Sequence, residues 1–198
     1  MTELSDNLDL SRCPHCSVAS PNLKSLQYFD TNNHNGTNRR VWRVYFCSRC
    51  GGLVTAWAIH GQSYVRDVYP SSEKVNEWIP SPAHDYLQQA LESIHAPAGA
   101  VMLAASSVDA MLKLKGYKEG SLYTRIGQAS TNHLITNDMA KWAHEVRLDA
   151  NDQRHADDQV QLPNTENAKK VVDFALALGE ILFVLPSKVQ RGLQQAQA

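Results

Sequence analysis

The four cysteines are the feature that most restricts how this chain can fold. They form two Cys-x2-Cys pairs, Cys13 with Cys16 and Cys47 with Cys50, all within the first 50 of 198 residues. A two-residue spacing forms a tight turn that directs both sulfurs to one point, and Gly51 accommodates the sharp backbone after the second pair. Together the pairs predict a closed tetrahedral site of four thiolates, the arrangement that structural Zn²⁺ prefers. We therefore expect a structural Zn²⁺ on these cysteines, with two disulfides as the alternative.

Strand patterns surround the cysteine pairs. Residues 23–30 and 41–46 flank the turn-rich segment TNNHNGTNRR, so a long hairpin accounts for the 30 residues between the pairs. Residues 53–60 and 63–69 supply two further short strands. Residues 1–70 are thus predicted to be a zinc ribbon with a small antiparallel sheet that needs its metal to fold. His15 and His34 have no expected ligand role, because the cysteines complete the site.

Positive charge is concentrated in this first region. Between Thr31 and Arg66 there are five arginines and no acid, interleaved with aromatic residues. Arginines beside exposed aromatic rings are typical of surfaces that hold phosphates and stack bases. The residues predicted to contact nucleic acid are Arg39, Arg40, Trp42, Arg43 and Arg49. The alternative is a solvated strand face, with the rings in the ribbon core or in a protein-docking surface.

The rest of the chain has helical periodicity. Residues 71–84 are rich in proline and serine and are predicted to be a linker. Residues 85–198 contain five helical patterns, the last over about 165–185, followed by a tail expected to fray. Short connections favour an up-and-down bundle. The predicted fold class is α+β, mainly α.

Composition favours a soluble protein. The chain is 43% apolar with a net charge of −1, and its N-terminus is acidic and polar, unlike a signal peptide. No run of residues has the roughly 18 to 20 apolar positions of a membrane span. We expect a cytoplasmic protein without a membrane partner.

The segment WAHEVRLDANDQRHADD, residues 142–158, carries the candidate chemistry. Arg147, Asn151 and His155 follow one another at steps of four, so each advances only ~40° around a helix. They would form one line bordering the apolar stripe, partly desolvated and able to face a groove or a second subunit.

Three segments resemble the DUF4145 domain, a branch of the HEPN superfamily of helical bundles. They are PAGAVMLAASSVDAML, GSLYTRIGQ and KWAHEVRLDANDQRH, and with the final helix the resemblance covers residues from about 80 to 186. Domains of this family often carry an N-terminal zinc ribbon. The chain departs from the family pattern at two places. Ala150 stands where the family usually has a glycine, and Ser106 and Ser107 stand where the family has a basic pair before an acid, which is Asp109 in this chain.

The resemblance implies a metal-independent endoribonuclease that acts as a homodimer, with Arg147, Asn151 and His155 as catalytic residues. A ribose 2′-OH that attacks its own phosphate needs a proton acceptor, a proton donor and a positive charge beside the developing phosphorane. Imidazole can be the acceptor and the donor, and guanidinium supplies the positive charge. One histidine per chain cannot easily be both base and acid, so two chains would share a site. The expected substrate is RNA, in a defence or toxin–antitoxin setting.

Two alternatives stay open. The chain could be a non-catalytic module of zinc ribbon and helical bundle that binds nucleic acid or a partner protein. Alternatively, the acids Asp149, Asp152, Asp157 and Asp158 could hold a divalent metal in another type of nuclease. His133 and His144 are expected to be structural.

Overall fold

Two units make up the chain, residues 1–73 and 74–198, and each has its own apolar core. The structure, a computed structural model, describes residues 2–71, 74–154 and 161–196, without the side chains of 152–154. Val75 and Ile79, which lie in the segment predicted as a linker, are buried in the core of the second unit.

A five-stranded antiparallel sheet forms the described part of the first unit, where the sequence predicted a small antiparallel sheet of four strands. The strands, in the order β1-β2-β3-β4-β5, are β1 (Asn7–Leu8), β2 (Leu23–Thr31), β3 (Arg40–Cys47), β4 (Leu53–Ile59) and β5 (Asp67–Tyr69). The three central strands match the predicted segments closely. β1 was not predicted, because two residues are too few to show an alternation.

The two faces of this sheet differ because side chains alternate along each strand. The inner face is a small core that includes Tyr45, Cys47 and Val54. The Tyr45 hydroxyl donates a hydrogen bond to the carbonyl of Ser5 over 2.8 Å, so the ring is buried without leaving its polar atom unpaired. The opposite, outer face carries Trp42 of β3, which is paired in register with Trp57 of β4.

The described part of the second unit contains five helices, counting the last three segments as one continuous helix. They are α1 (Ala83–Glu92), α2 (Pro97–Leu114), α3 (Leu122–Thr131), α4 (Asn137–Arg154) and α5 (Thr165–Gly179), which continues through a π turn (Glu180–Val184) into α6 (Leu185–Gln195). The tail expected to fray is therefore helical to Gln195. Side-chain caps start three of these helices: Ser121 accepts from the Thr124 amide, Thr136 accepts from the Met139 amide, and Asn164 forms a capping box with Asn167.

The helix α2 is central to the second unit and packs against α1, α3, α4 and α5. It is long and apolar enough to cross a membrane by length and composition, but half of it is buried inside the protein. The buried residues include Val101, Val108 and Met111 on the predicted stripe. Burial against four other helices is the behaviour of a core helix.

Candidate functional site

The four cysteines converge at one end of the sheet. Their sulfur atoms all lie within 4.8 Å of one another, and all four are free thiols rather than disulfides. Amide groups support the cluster: the amide of His15 donates to the Cys13 sulfur, and the amide of Gly52 to the Cys50 sulfur, each over 3.4 Å. The arrangement is compatible with a metal site. It joins the two Cys-x2-Cys pairs as the spacing predicts.

Local backbone features shape this cluster. Gly51 has a φ of +73°, which a side chain would disfavour. At Gly52 a Cβ would collide with the ring of His15. The His15 Nε2 lies 2.7 Å from the carbonyl oxygen of Leu53, so the ring covers the second cysteine turn and is held there. His15 thus has a packing role beside the site.

The cysteine thiols differ in acidity. Burial raises the pKa of Cys13 to about 12. Burial also acts to raise the pKa of Cys47, but hydrogen bonds together outweigh it, and the pKa falls to about 7. These bonds come from the backbone amides of Cys50 and Arg49 and from the thiols of Cys13 and Cys50. Four crowded thiols cannot all lose their protons without a cation to balance the charge. A bound cation would provide that balance.

The second candidate site is a pocket of about 770 Å³ in the helical unit. That volume is within the range of ligand-binding pockets. Helices α1 to α4 contribute to its wall, which contains four basic residues and one acid, Asp109. The basic residues are Lys113, Lys118, Arg125 and Arg147. The pocket therefore has a positive excess and suits an anionic ligand.

Arg147 and Asn151, for which the resemblance implies a catalytic role, both line this pocket. The Arg147 guanidinium carbon lies 5.4 Å from the ring centre of Tyr123, and its Nε is buried without a hydrogen-bond partner among the described residues. Asn151 is exposed at the same wall. His155 lies outside the described residues, so its place relative to this pair stays a prediction.

Asp109 and Arg125 form an ion pair in the pocket wall. Arg125 Nη1 is 2.5 Å from Asp109 Oδ1, and Lys113 Nζ is 2.6 Å from Asp109 Oδ2. Arg125 also donates to the carbonyl of Lys118 over 3.3 Å, and its side chain is 11% exposed. The acid of α2 thus pairs with arginine from α3, which leaves Arg147 without a carboxylate partner among the described residues.

Four residues of the pocket wall were not predicted from the sequence: Lys113, Lys118, Tyr123 and Arg125. One signal was present: Asp109 is the single acid in the mostly apolar helix α2, and a carboxylate there requires a basic partner. Nothing in the sequence of α3 distinguishes Arg125 from an ordinary exposed arginine.

His144 lies beside the pocket and contacts its wall. Its ring centre is 4.7 Å from that of Tyr123, and its Nδ1 is buried without a hydrogen-bond partner among the described residues. Burial lowers the pKa of His144, and the positive charge of Arg147 acts in the same direction. His144 therefore favours its neutral form next to Arg147.

The residues predicted to contact nucleic acid do not share one surface. Arg40 and Trp42 lie on the outer face of the sheet, whereas Arg43 lies on the inner face and pairs with Asp6 at 2.5 Å. Arg39 pairs with Asp30 at 2.5 Å. Arg49 is exposed between the cysteines of the second pair.

The alternative acidic metal site falls largely outside the described residues. Asp157, Asp158 and the side chain of Asp152 are in that part of the chain, and Asp149 has an interaction of its own. In the described ranges, the cysteine cluster is the group of metal-ligating side chains that the structure brings together.

A family model matches more than half of the chain. The match spans residues 88–196 and is described as a domain of unknown function, DUF4145. The chain belongs to the DUF4145 family. The DUF4145 domain includes the pocket residues of α2, α3 and α4, and it begins within α1. No curated protein and no solved structure matches the chain.

Proposed function

We propose that this protein is a metal-independent endoribonuclease of the HEPN type. The observation that supports it best is the positively charged pocket of about 770 Å³ with Arg147 and Asn151 in its wall. Arg147 is partly desolvated and without a carboxylate partner among the described residues, so its charge is available for a phosphate. The resemblance to HEPN ribonucleases assigns the same residues to catalysis.

The reaction is an internal displacement at phosphorus. His155 removes the proton of the ribose 2′-OH, the O2′–P bond forms, and the P–O5′ bond breaks while the leaving 5′-oxygen takes a proton from a second imidazole. Arg147 stabilises the charge that develops on the phosphorane oxygens. Asn151 orients the phosphate or the ribose by hydrogen bonds from its amide. The products carry a 2′,3′-cyclic phosphate and a 5′-OH.

A homodimer supplies the second imidazole. The mouth of the pocket has exposed apolar side chains, including Leu114 and Tyr123, and Leu148 beside Arg147 is 43% exposed. A second copy of the helical unit would cover these groups and bring two His155 and two Arg147 side chains together. Water would then be excluded from the shared site.

The first unit is a zinc ribbon in this proposal. Around a zinc ion, four thiolates at about 2.3 Å form a tetrahedron with edges of ~3.8 Å. The sulfurs of Cys13 and Cys50 are 3.9 Å apart, close to that edge. Four protein ligands leave no coordination position for water, so the zinc has a structural role only. Free thiols suit the cytoplasm, where we place the protein.

Cleavage of single-stranded RNA in the presence of EDTA tests the catalytic proposal. Wild-type protein should produce 2′,3′-cyclic phosphate ends, and DNA should stay intact because it lacks the 2′-OH. His155→Ala should reduce the rate by on the order of 10² to 10⁴ through the loss of proton transfer. Arg147→Ala should be at least as damaging, because the phosphorane charge would be uncompensated.

The matched control is Lys141→Ala, which removes a positive charge from an exposed ion pair elsewhere on α4. Its rate should equal that of wild type. If wild-type dimer binds RNA and leaves it intact over hours, or if His155→Ala cuts as fast as wild type, the ribonuclease proposal is wrong. The protein would then be a non-catalytic binding module.

A further inference from the structure

The outer face of the sheet carries aromatic side chains from four strands. Register pairing puts Phe29 opposite Trp42, Trp42 opposite Trp57, and Trp57 opposite Asp67, two residues before Tyr69. Paired residues of antiparallel strands point to the same side, and so do residues two apart. Phe29, Trp42, Trp57 and Tyr69 therefore form one surface, which we call the aromatic face.

Three rings of the aromatic face lie side by side, and two of these three are held by hydrogen bonds. The ring centre of Trp42 is 5.8 Å from that of Trp57 and 6.4 Å from that of Tyr69. The Trp42 indole donates to the Thr31 hydroxyl over 2.9 Å, and the Tyr69 hydroxyl donates to Asp67 over 2.7 Å. The rings at the two ends are accessible: Phe29 is 42% exposed and Tyr69 is 50% exposed. Rings fixed in this way lose little entropy when a ligand stacks on them.

Arg40 adds a positive charge to this surface. Its guanidinium carbon is 4.3 Å from the centre of the Trp57 ring. Among the described residues, no hydrogen bond or ion pair engages this guanidinium group. The neighbouring arginine, Arg39, is instead paired with Asp30. The carboxylate of Asp67 accepts from its neighbours Val68 and Tyr69. The guanidinium group of Arg40 on the aromatic face is therefore available to bind an anion.

We propose that the aromatic face binds unpaired nucleobases of single-stranded RNA, with Arg40 on an adjoining phosphate. This rests on the proposed function only in taking RNA as the ligand. Bases stack on aromatic rings without sequence preference, and a basic group beside the rings tracks the backbone. In a duplex the base faces are covered by their neighbours, so the aromatic face selects single strands. The ribbon thereby holds the substrate, and the helical pocket performs the cleavage.

The structure offers two matched pairs of variants for a binding experiment. Phe29 and Tyr28 are adjacent on β2 but lie on opposite faces, and Tyr28 is 68% exposed. Arg40 and Arg39 are adjacent, and either substitution removes one positive charge. Phe29→Ala and Arg40→Ala therefore test the aromatic face, and Tyr28→Ala and Arg39→Ala control for lost ring area and lost charge.

Fluorescence anisotropy with a labelled 2′-O-methyl RNA 12-mer measures binding without cleavage, so failure here is separate from failure of the ribonuclease proposal. We expect Phe29→Ala and Arg40→Ala to raise the Kd at least about 5-fold, and each control to raise it less than about 2-fold. The duplex of the same sequence should bind more weakly than the single strand. A deoxy 12-mer that binds equally would show that the face recognises bases and phosphates without the 2′-OH.

The wild-type protein provides a second measurement that needs no folded variant. An RNA 12-mer containing 5-iodouridine, irradiated in the complex, should cross-link to one of the four rings of the aromatic face, as read by mass spectrometry of the digested protein. Equal Kd values for face and control variants, cross-links confined to the helical unit, or equal affinity for duplex would overturn the proposal. Wild-type protein that binds none of these oligonucleotides would also overturn it and favour a protein partner.

Discussion

Arg125 and Asp109 bring opposite charges into a wall of the pocket that is mostly shielded from water. Their side chains are 11% and 22% exposed, and Lys113 completes the cluster from the next turn of α2. A carboxylate between two cations is fully paired, whereas an arginine that lost this carboxylate would keep a buried and uncompensated charge. The cluster therefore ties α2 to α3 beneath the site that Arg147 borders.

Asp109→Asn tests this coupling. The substitution keeps the shape of the side chain but leaves Arg125 without its counter-charge, so the free energy of unfolding should fall by roughly 2 to 4 kcal/mol. Urea titration followed by circular dichroism measures the loss. Asp138→Asn removes a carboxylate from an exposed pair with Lys141 and should not change the unfolding midpoint. Equal midpoints for both variants would show that the buried pair has no stabilising role.

At the scale of single residues, the sequence predicts groups whose spacing fixes their geometry. The cysteine pairs were predicted to converge because a Cys-x2-Cys turn is local, and Arg147 and Asn151 were predicted to share one line because a step of four stays on one side of a helix. Arg125 could not be identified in this way. Its position depends on how α3 packs against α2, and no local spacing encodes that contact.

His144 gives a pH dependence with a definite sign. Its pKa is lowered from 6.5 chiefly by burial and also by Arg147, with Glu145 acting in the opposite direction. Because the pKa of His144 is lower in the folded state, the unfolded chain binds the proton more readily once the pH is below 6.5. His144 therefore contributes to stability above pH 6.5, and this contribution is lost as the pH falls through the pKa of the folded state.

His144→Phe should therefore reduce the fall in Tm between about pH 7 and about pH 5, because the ring contact with Tyr123 is kept and the titration is removed. Differential scanning fluorimetry across that range measures the slope. His34→Gln, in an exposed turn, controls for the loss of a histidine. A slope identical to that of wild type would contradict the assignment to His144.

At the scale of elements, the last helix shows where helical periodicity no longer predicts which residues are buried. The stripe predicted from Ala168 to Leu185 is buried as far as Leu182, but Leu185 is 51% exposed. The π turn at Glu180–Val184 inserts an extra residue into the helical repeat and rotates the stripe by ~100°. Leu182, Phe183 and Val184 remain buried within the turn. If the α-helical repeat is continued through this turn, it assigns the buried positions after the turn to the wrong face of the helix.

In the proposed zinc ribbon, the cysteine turns hold the metal on which the fold of the first unit depends. Its core is small, and zinc binding contributes about 10 to 16 kcal/mol in comparable small domains, which is similar to the whole stability of many proteins. Cys47→Ser should therefore unfold the sheet and release about one zinc ion per chain. The helical signal in circular dichroism should persist, because the second unit has a core of its own.

Ser48→Ala, at an exposed position within the same turn, should keep its zinc and its sheet. Zinc content is measured by elemental analysis, and sheet integrity by the exchange of amide protons in β3 and β4. Native protein without zinc, or a Cys47→Ser variant with a protected sheet, would refute a structural metal on the four cysteines.

At the scale of the whole molecule, the proposed reaction requires two chains, because each contributes one histidine of the catalytic motif. Leu148 is 43% exposed and lies ~60° around α4 from the pocket residue Asn151, so a charge introduced there should oppose a second copy that covers the pocket. Leu193, 61% exposed on α6, offers a matched position on another helix. We expect Leu148→Glu to be monomeric by light scattering at micromolar concentration and to lose RNA cleavage with every motif residue intact. Leu193→Glu should remain dimeric and active. A wild-type monomer that cuts RNA, or a monomeric Leu148→Glu variant with full activity, would exclude the shared site, and a single chain would then have to supply both the base and the acid.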